Sequence, residues 1–394
     1  MIYLDNNATT RVAPEVFDAM RPYLTDAYGN PSSAHSLGRL MKSAVEHARE
    51  QVAELLGAAN ASEIVFTSCG SESDNWAIGG SLEQNPRRRH IITTRVEHEA
   101  VRNLCEHLAE IGCEVTWLEV DGSGELNLDD LRQVLRRDTG IVSVMLANNE
   151  TGVLFPIDKI GKIVRENSDA VFHVDGVQAV GKIPINLKEL DIDLFALSGH
   201  KFHAPQGVGA LYIRSGVKLP PFIIGGGQES GRRAGTSAVP NIVALGAACD
   251  LAKTFDEHER IETLRNKLED EILNSIPNAR LNGTTDRARR LPNTANISFE
   301  YVEGENILVH LDKAGICVST GSACHSTTKE SSPTLRAMNV PYTAAQGSIR
   351  FSLSRYNTEA EIDHTLKVLP EIIGKLVEMS PYEKELAALK MSQR

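Results

Sequence analysis

Short apolar runs alternate with amphipathic segments up to about residue 255 of this sequence. The segment 36–56 carries apolar side chains three and four residues apart and is followed by Gly57, so it predicts a helix that ends at residue 56. The segment 141–147 is almost continuously apolar, as in a strand buried on both faces of a parallel sheet. This alternation predicts an α/β fold with a mostly parallel sheet and helices on both faces. The predicted strands are 63–67, 91–94, 114–120, 141–147, 170–175, 193–197 and 208–213.

The pattern changes after this point, where longer charged helical segments replace the short alternation. A chain of 394 residues has room for two or three domains of roughly 100–200 residues each. We therefore predict a large domain over 13–255 and a smaller α+β domain formed by 1–12 and 256–394. The elements predicted in the smaller domain are helices at 256–273 and 305–314 and strands at 294–300 and 347–354.

Charge and composition argue against several classes of protein. With 41 basic and 52 acidic residues the net charge is −11, which argues against a nucleic-acid binder that relies on a basic face. We find neither a targeting segment in the opening MIYLDNNATT nor an apolar stretch long enough to span a membrane, so we expect a cytoplasmic protein with no membrane partner. The six cysteines are too few for a disulfide scaffold, so each is either a packing residue or a reactive thiol.

Three other patterns look like known sites but lack what those sites need. The segment 176–182 has the form G-x-x-x-x-G-K, yet Ile183 and Pro184 stand where a phosphate-binding loop needs a hydroxyl residue and a continuing helix. The glycine-rich segment 225–231 lacks the spacing of a dinucleotide-binding turn. No intrinsic metal site is predicted, because metal-ligand spacing does not connect the candidate ligands His98, His173, Asp175, His200 and His203.

Residues with complementary chemistry follow several predicted strands, where ligands bind in parallel sheets. Lys201 follows the strand 193–197, and a partly desolvated lysine can form a Schiff base. Asp175 ends the strand 170–175 and can hold a pyridinium nitrogen protonated, while the small-residue turn 68–71 opens a helix and suits a phosphate. Each feature alone has a simpler explanation as a surface lysine, a turn cap or a helix cap. Together they indicate pyridoxal phosphate.

One cysteine differs from the others in its surroundings. Cys324 lies in a run of small and hydroxyl residues at 319–328, which is typical of an exposed loop rather than a core. The thiol is therefore a candidate nucleophile. Cys105 falls on the apolar side of a predicted helix and Cys317 in a short apolar strand, so both are assigned to packing. Cys69 is explained as a residue of the turn that opens a helix.

Nine ordered motifs carry a family resemblance over almost the whole chain: YLDNNATT (3–10), YGNPSSAH (28–35), FTSCGSESDN (66–75), ANNETG (147–152), HVDGVQAVGK (173–182), SGHKFHAPQGVG (198–209), GRRAGT (231–236), STGSACHS (319–326) and SIRFSLSRYNT (348–358). With these motifs the sequence resembles the group I cysteine desulfurases, in particular the NifS type and its near relative IscS. Those proteins are pyridoxal-phosphate enzymes of the class V aminotransferase family. The resemblance implies fold type I, with a mostly parallel seven-stranded sheet and a smaller C-terminal domain.

The resemblance also implies roles for the residues around the cofactor. Lys201 is expected to bind pyridoxal phosphate covalently, Asp175 to pair with its pyridine nitrogen and Gln178 with its phenolic oxygen. His98 is expected to stack on the ring and to shuttle protons, and Asn149 to lie beside it. The residues expected to hold the phosphate are Gly70, Ser71, Ser198, His200 and, from the neighbouring subunit of a homodimer, Thr236.

The same resemblance implies the reaction and the partners. Asn149, Arg350 and Asn7 are expected to receive the substrate carboxylate. Cys324 is expected to take the sulfur of L-cysteine as a persulfide, leaving L-alanine, and to share an iron–sulfur cluster only transiently. The sulfur then passes to an iron–sulfur scaffold protein or another acceptor, for housekeeping or for nitrogenase maturation. The open alternatives are a selenocysteine lyase, another class V aminotransferase and a non-catalytic scaffold that presents Cys324.

Overall fold

The computed structural model describes residues 1–254, 257–320 and 331–380, which fold into alternating strands and helices. The strands of these residues are β1 (Ile2–Tyr3), β2 (Ile64–Thr67), β3 (His90–Thr94), β4 (Glu114–Leu118), β5 (Thr139–Met145), β6 (Val171–Asp175), β7 (Leu194–Ser198), β8 (Gly209–Ile213), β9 (Ala279–Leu281), β10 (Thr294–Phe299), β11 (Ile316–Cys317), β12 (Ser319–Thr320) and β13 (Ser348–Ser352). The helices of the same residues are α1 (Pro14–Met20), α2 (Pro22–Thr25), α3 (Ser36–Leu56), α4 (Gly70–Gln84), α5 (Glu99–Glu110), α6 (Leu128–Val134), α7 (Ile157–Asn167), α8 (Val239–Lys253), α9 (His258–Ser275), α10 (Gly304–Lys313), α11 (Pro333–Ala337), α12 (Tyr342–Gln346) and α13 (Glu359–Met379).

A seven-stranded sheet in the order β2-β8-β7-β6-β5-β3-β4 forms the centre of the fold. The strands from β7 to β4 in that order run parallel, whereas β8 is antiparallel to both of its neighbours. The connection from β7 to β8 covers only residues 199–208. That is too short for the crossover of about a dozen residues that a parallel pair needs. The predicted α/β fold with a mostly parallel seven-stranded sheet is confirmed.

The first of two large apolar cores lies around this sheet. Its buried side chains include Val144, Phe172 and Leu197 from three central strands. On one side of the sheet, α3 packs against α8. α3 has the predicted bounds and ends because Gly57 adopts a left-handed conformation with φ of 60°, which favours glycine. Residues of α3 and α8 belong to the same apolar core as the central strands.

The second apolar core belongs to the C-terminal part of the chain and includes Leu4. Its helices α9, α10 and α13 pack beside an antiparallel sheet in the order β12-β13-β10-β9. β1 pairs in parallel with β11, which attaches the N-terminus to this part of the molecule. Leu335 and Ala344, from α11 and α12, are instead buried in the first core. The domain boundaries given above remain a prediction.

The sequence patterns do not predict α7, α8 or α13. α8 is the most instructive of them, because it is apolar on nearly every side and so lacks the polar face that marks an amphipathic helix. It lies between α1 and α3, which accounts for that composition. None of the helices in the described part of the chain has the length and apolarity that crossing a membrane would require.

Candidate active site

An open cavity of about 670 Å³ lies where the parallel strands end, and nine of the residues predicted for the site line it. β5, β6 and β7 each contribute their last residue. Because the carboxyl ends of parallel strands share one edge of the sheet, residues far apart in sequence meet there. The lining residues are Cys69, Gly70, Ser71, Asp74, His98, Met145, Ala147, Asn149, Asp175, Val177, Gln178, Ser198, His200 and Lys201.

Four other predicted residues do not line this cavity. Asn7 and Arg350 adjoin it, because both side chains donate hydrogen bonds to the backbone oxygen of Asn149, at 3.3 and 2.9 Å. Thr236 lines a different cavity, next to the end of β2. Cys324 lies outside the described residues.

Lys201 ends a short 3-10 turn, Gly199–Lys201, that follows β7 directly. Its Nζ donates hydrogen bonds to the backbone oxygens of Asn7 and Ala8, both at 2.8 Å. The turn packs closely at Gly199, where a Cβ would lie 2.8 Å from the Cβ of Ala204. Two backbone carbonyl groups therefore orient the amine at the cavity.

Asp175 closes β6 and is only 5% exposed. Its Oδ1 accepts a hydrogen bond from the N–H of Val177 at 2.9 Å. Burial raises the pKa of this carboxyl group, while the neighbouring His98 and Lys201 act in the opposite direction. A cation bound against the carboxylate would offset the cost of burying its charge. Asp175 is therefore well suited to pair with a protonated ring nitrogen.

His98 caps the N-terminus of α5 with its ring. Its Nδ1 accepts a hydrogen bond from the N–H of Ala100 at 3.1 Å, so the proton of the neutral ring lies on Nε2. Burial lowers the pKa of the ring; Asp175 acts against that change and Lys201 adds to it. His98 is therefore a neutral imidazole at pH 7, with a fixed orientation at the cavity.

One end of the cavity has the features of an anion site. Gly70 is the first residue of the 15-residue helix α4, whose N-terminal N–H groups favour negative charge. A Cβ at Gly70 would lie 2.6 Å from Cγ2 of Val177, so only glycine fits without displacing that side chain. The Oγ of Ser198 is buried and has no hydrogen-bond partner among the described residues. Burial lowers the pKa of His200 to about 4, and its Nδ1 lies 3.1 Å from Oγ1 of Thr9.

Arg350 brings a guanidinium group to the cavity from β13, in the second sheet. Its Nη2 donates to Oδ1 of Asp5 at 2.8 Å, and this pair is mostly buried. Its Nε is buried without a hydrogen-bond partner among the described residues. The group thus combines an ion pair that fixes its position with a donor that an incoming carboxylate can use.

Two buried residues near the cavity carry chemistry that the sequence reasoning missed. Asp74 lies on α4, lines the cavity and has Oδ1 3.5 Å from Nε2 of His173. Burial and the neighbouring Asp175 raise the pKa of Asp74 well above its usual value. Lys182 is buried below the cavity and donates to Gln178. The only feature of the sequence that could have indicated these two residues is an acid or a lysine on the buried side of a helix or turn.

Glu97 is a third buried acid, next to His98, and its titration should be visible in the stability of the protein. Burial raises its pKa to about 8 from the 4.5 of an unfolded chain, although Thr94 and the N–H of Met145 donate to its Oε1. The folded state therefore keeps a proton that the unfolded state releases, and this stabilisation is present below pH 4.5. Between that pH and 8, the free energy of unfolding should fall by about 1.4 kcal/mol per pH unit on account of Glu97.

Replacing Glu97 with glutamine should flatten this dependence, because the amide resembles the protonated acid and still accepts both hydrogen bonds. We expect the variant to be more stable than the parent at pH 8 and similar near pH 4.5, as measured by thermal unfolding across that range. The exposed Glu83 provides a matched control, Glu83→Gln, which should leave the slope unchanged. An identical slope in Glu97→Gln and the parent would show that Glu97 is ionised in the folded protein.

Comparisons with known proteins identify the family of the chain. The model of the aminotransferase class-V family matches residues 2–365. A cysteine desulfurase from Trichormus azollae is 55% identical over 395 aligned positions, which cover 100% of this chain and 98% of that protein. Cysteine desulfurase NifS of Azotobacter vinelandii is 52% identical, covering 97% of this chain and 94% of its own. A solved structure described as a NifS-like protein has a TM-score of 0.89 at 41% identity, and covers 95% of this chain and 100% of its own.

The chain belongs to the class-V aminotransferase family. Its likeness to the desulfurases extends over the full length, so within that family it falls among the NifS-type cysteine desulfurases. The family resemblance and the fold type predicted from the sequence are both confirmed. The roles of individual residues are taken up below.

Proposed function

We propose that this chain converts L-cysteine to L-alanine with pyridoxal phosphate held in the cavity, and that it passes the sulfur to Cys324. The observation that carries the proposal is the meeting of Lys201, Asp175 and His98 at one cavity, each from the end of a different strand of the parallel sheet. An amine, a buried carboxylate and a flat neutral ring are the groups that pyridoxal-phosphate chemistry uses.

The described residues fit this cofactor in three independent respects. The orphaned Oγ of Ser198 and the N-terminus of α4 suit a phosphate. The carboxylate of Asp175 suits the pyridine nitrogen when that nitrogen is protonated. Lys201 lines the same cavity, where the backbone oxygens of Asn7 and Ala8 hold its amine. When bound, pyridoxal phosphate supplies an electron sink for the charge that develops at the substrate Cα.

The substrate carboxylate would be received beside Arg350. Within the described part of the chain, the Nε of that side chain has no partner, while Asp5 and the backbone oxygen of Asn149 hold its other two nitrogens. This arrangement supports a role for Arg350 in orienting L-cysteine without a large movement of the guanidinium group. Lys201 then removes the proton from the substrate Cα as a neutral amine, and the neutral ring of His98 exchanges protons from Nε2.

Sulfur transfer becomes possible after the α-proton has been removed, because the carbon skeleton can then accept the electron pair of the bond between Cβ and sulfur. The thiolate of Cys324 attacks the substrate sulfur, and an S–S bond forms as the bond between that sulfur and Cβ breaks. The electron pair of the broken bond stays with the carbon skeleton, which takes up one proton at Cβ and regains one at Cα to become L-alanine. Cys324 keeps the second sulfur as a persulfide, so neither an external oxidant nor a reductant is needed.

The partners follow from the same proposal. Thr236 lines a cavity other than the candidate active site, so its expected contact with the phosphate requires a second copy of the chain. We expect a homodimer in which each copy completes the site of the other. The persulfide then passes to an iron–sulfur scaffold protein or another sulfur acceptor in the cytoplasm.

The proposal is tested by replacing Cys324 with alanine. We expect sulfide release from L-cysteine in the presence of a thiol reductant to fall on the order of 1,000-fold, since the nucleophile is removed. The visible absorption of bound pyridoxal phosphate should be unchanged. The half-buried Cys113 provides a control variant, Cys113→Ala, which should retain full activity.

Three outcomes would contradict the proposal. Undiminished sulfide release by Cys324→Ala would exclude a persulfide on this cysteine. Release of pyruvate rather than alanine from L-cysteine by the parent protein would indicate a different reaction of the same family. A preference for L-selenocysteine that survives in Cys324→Ala would favour a selenocysteine lyase.

A further inference from the structure

Lys182 is a buried lysine whose amine has no carboxylate among its hydrogen-bond partners in the described part of the chain. Its side chain lies below the candidate active site and the residue is only 8% exposed. Nζ donates to Oε1 of Gln178 at 2.8 Å and to Oδ1 of Asn7 at 3.0 Å. Burial and the nearby charges of Lys201 and Arg350 lower the pKa of this amine well below its usual value. Charged or neutral, the amine keeps at least two N–H bonds, enough for both acceptors.

The first contact fixes the orientation of the Gln178 amide. Because Oε1 faces Lys182, the NH₂ group must point to the opposite side. There Nε2 donates one of its hydrogens to the backbone oxygen of Asn7 at 2.9 Å. The second hydrogen remains for a ligand in the cavity, which Gln178 lines. Lys182 therefore makes Gln178 a hydrogen-bond donor, rather than an acceptor, toward that ligand.

The second contact reaches Lys201 through Asn7. The backbone oxygen of Asn7 accepts from Nζ of Lys201 at 2.8 Å as well as from Gln178. The side chain of Asn7 is fixed by Lys182 and Asn293 at Oδ1 and by Thr294 at Nδ2. Asn7 thus joins Lys182 to Lys201. Its orientation depends on hydrogen-bond donors from both the first core region (Lys182) and the C-terminal part of the chain (Asn293).

Burying a lysine among amide groups costs free energy, whereas an apolar side chain of similar length would not. We propose that Lys182 is a positioning residue for the cofactor, an inference that rests on the proposed function. Lys182 turns the N–H side of Gln178 toward a ring oxygen, and it fixes the Asn7 peptide that holds Lys201. It touches neither substrate nor cofactor itself. The ligand chemistry that it selects is an oxygen carrying negative charge.

The test compares Lys182→Met with the parent and with the exposed control Lys188→Met. We expect apo Lys182→Met to unfold at the same temperature as the apo parent or higher, because a buried amine is removed. Its affinity for pyridoxal phosphate should fall about tenfold, the effect of losing one strong hydrogen bond. The visible circular dichroism of the bound cofactor should change, since it reports the seating of the ring, and Lys188→Met should match the parent throughout.

A double-mutant cycle separates positioning from a merely structural role. In a Gln178→Leu background, Lys182→Met should weaken cofactor binding much less than it does in the parent, because Gln178 transmits the effect. Additive effects, or unchanged affinity and dichroism in Lys182→Met, would overturn the inference. If the methionine variant does not fold, Lys182→Leu, which also lacks an N–H donor, takes its place in the same cycle. Failure of the parent itself to bind pyridoxal phosphate would overturn the proposed function instead.

Discussion

Replacing Lys201 with alanine is expected to lower the rate of conversion of L-cysteine to L-alanine by at least about 1,000-fold, without unfolding the protein. The variant loses both the amine that links to the cofactor and the base that removes the α-proton, and a positioned base alone contributes about 100- to 10,000-fold. The hydrogen bonds that Nζ makes are to two backbone oxygens, of Asn7 and Ala8. Their loss costs stability only modestly, because Lys201 is not fully buried and water can reach that side of the turn.

The measurements are alanine formation and the fixation of cofactor by borohydride. In the parent, reduction should attach pyridoxal phosphate to the peptide that contains Lys201; in Lys201→Ala the label should be absent. The exposed Lys159 on α7 provides a control variant, Lys159→Ala, which should behave as the parent does. Label on a different lysine of the parent would contradict the assignment of Lys201.

The parts of the fold that the sequence predicts are those whose signal is local. α3 has one apolar face and a glycine at its end, and its predicted and observed bounds coincide. β5 is buried throughout and mostly apolar, and the predicted strand 141–147 is displaced from it by two residues, because an apolar run marks a buried strand but not its ends. α8 is missed because it is apolar on nearly every side, so the periodic contrast between an apolar and a polar face disappears. Tertiary packing, rather than local sequence, determines that element.

The candidate site divides in the same way. Asp175, His98 and Lys201 are predictable as a group, because all three follow strands and parallel strands end at one edge. The contact between Lys182 and Asn7 joins residues 175 positions apart, and that between Arg350 and Asp5 joins residues 345 apart. No local spacing encodes such pairs. They depend on how β1, β11 and β13 bring residues 5–7 and 350 to the cavity, which only the folded structure reveals.

The largest effect on stability is expected at a buried ion pair in the second core. Glu269 on α9 accepts two hydrogen bonds from Arg290, both at 2.8 Å, and the two side chains are 3% and 0% exposed. Arg265 is also buried; desolvation and the charge of Arg290 lower its pKa to about 10, while Glu269 acts in the opposite direction. One carboxylate therefore serves two buried guanidinium groups, so Glu269→Gln should leave both cations without a buried anion.

We expect Glu269→Gln to lower the free energy of unfolding by about 3–5 kcal/mol, as removal of one partner from a buried pair does. Urea unfolding of the apo protein measures this change. The control Glu371→Gln, from the exposed pair with Lys375, should leave the unfolding transition where it is in the parent.

The loss of the Glu269 charge should also affect the cavity. Arg265 donates to the backbone oxygen of Thr294, whose Oγ1 accepts from Asn7. Glu269→Gln should therefore also weaken cofactor binding. If the variant instead keeps the stability and the cofactor affinity of the parent, solvent or Asp270 replaces the charge that Glu269 supplies.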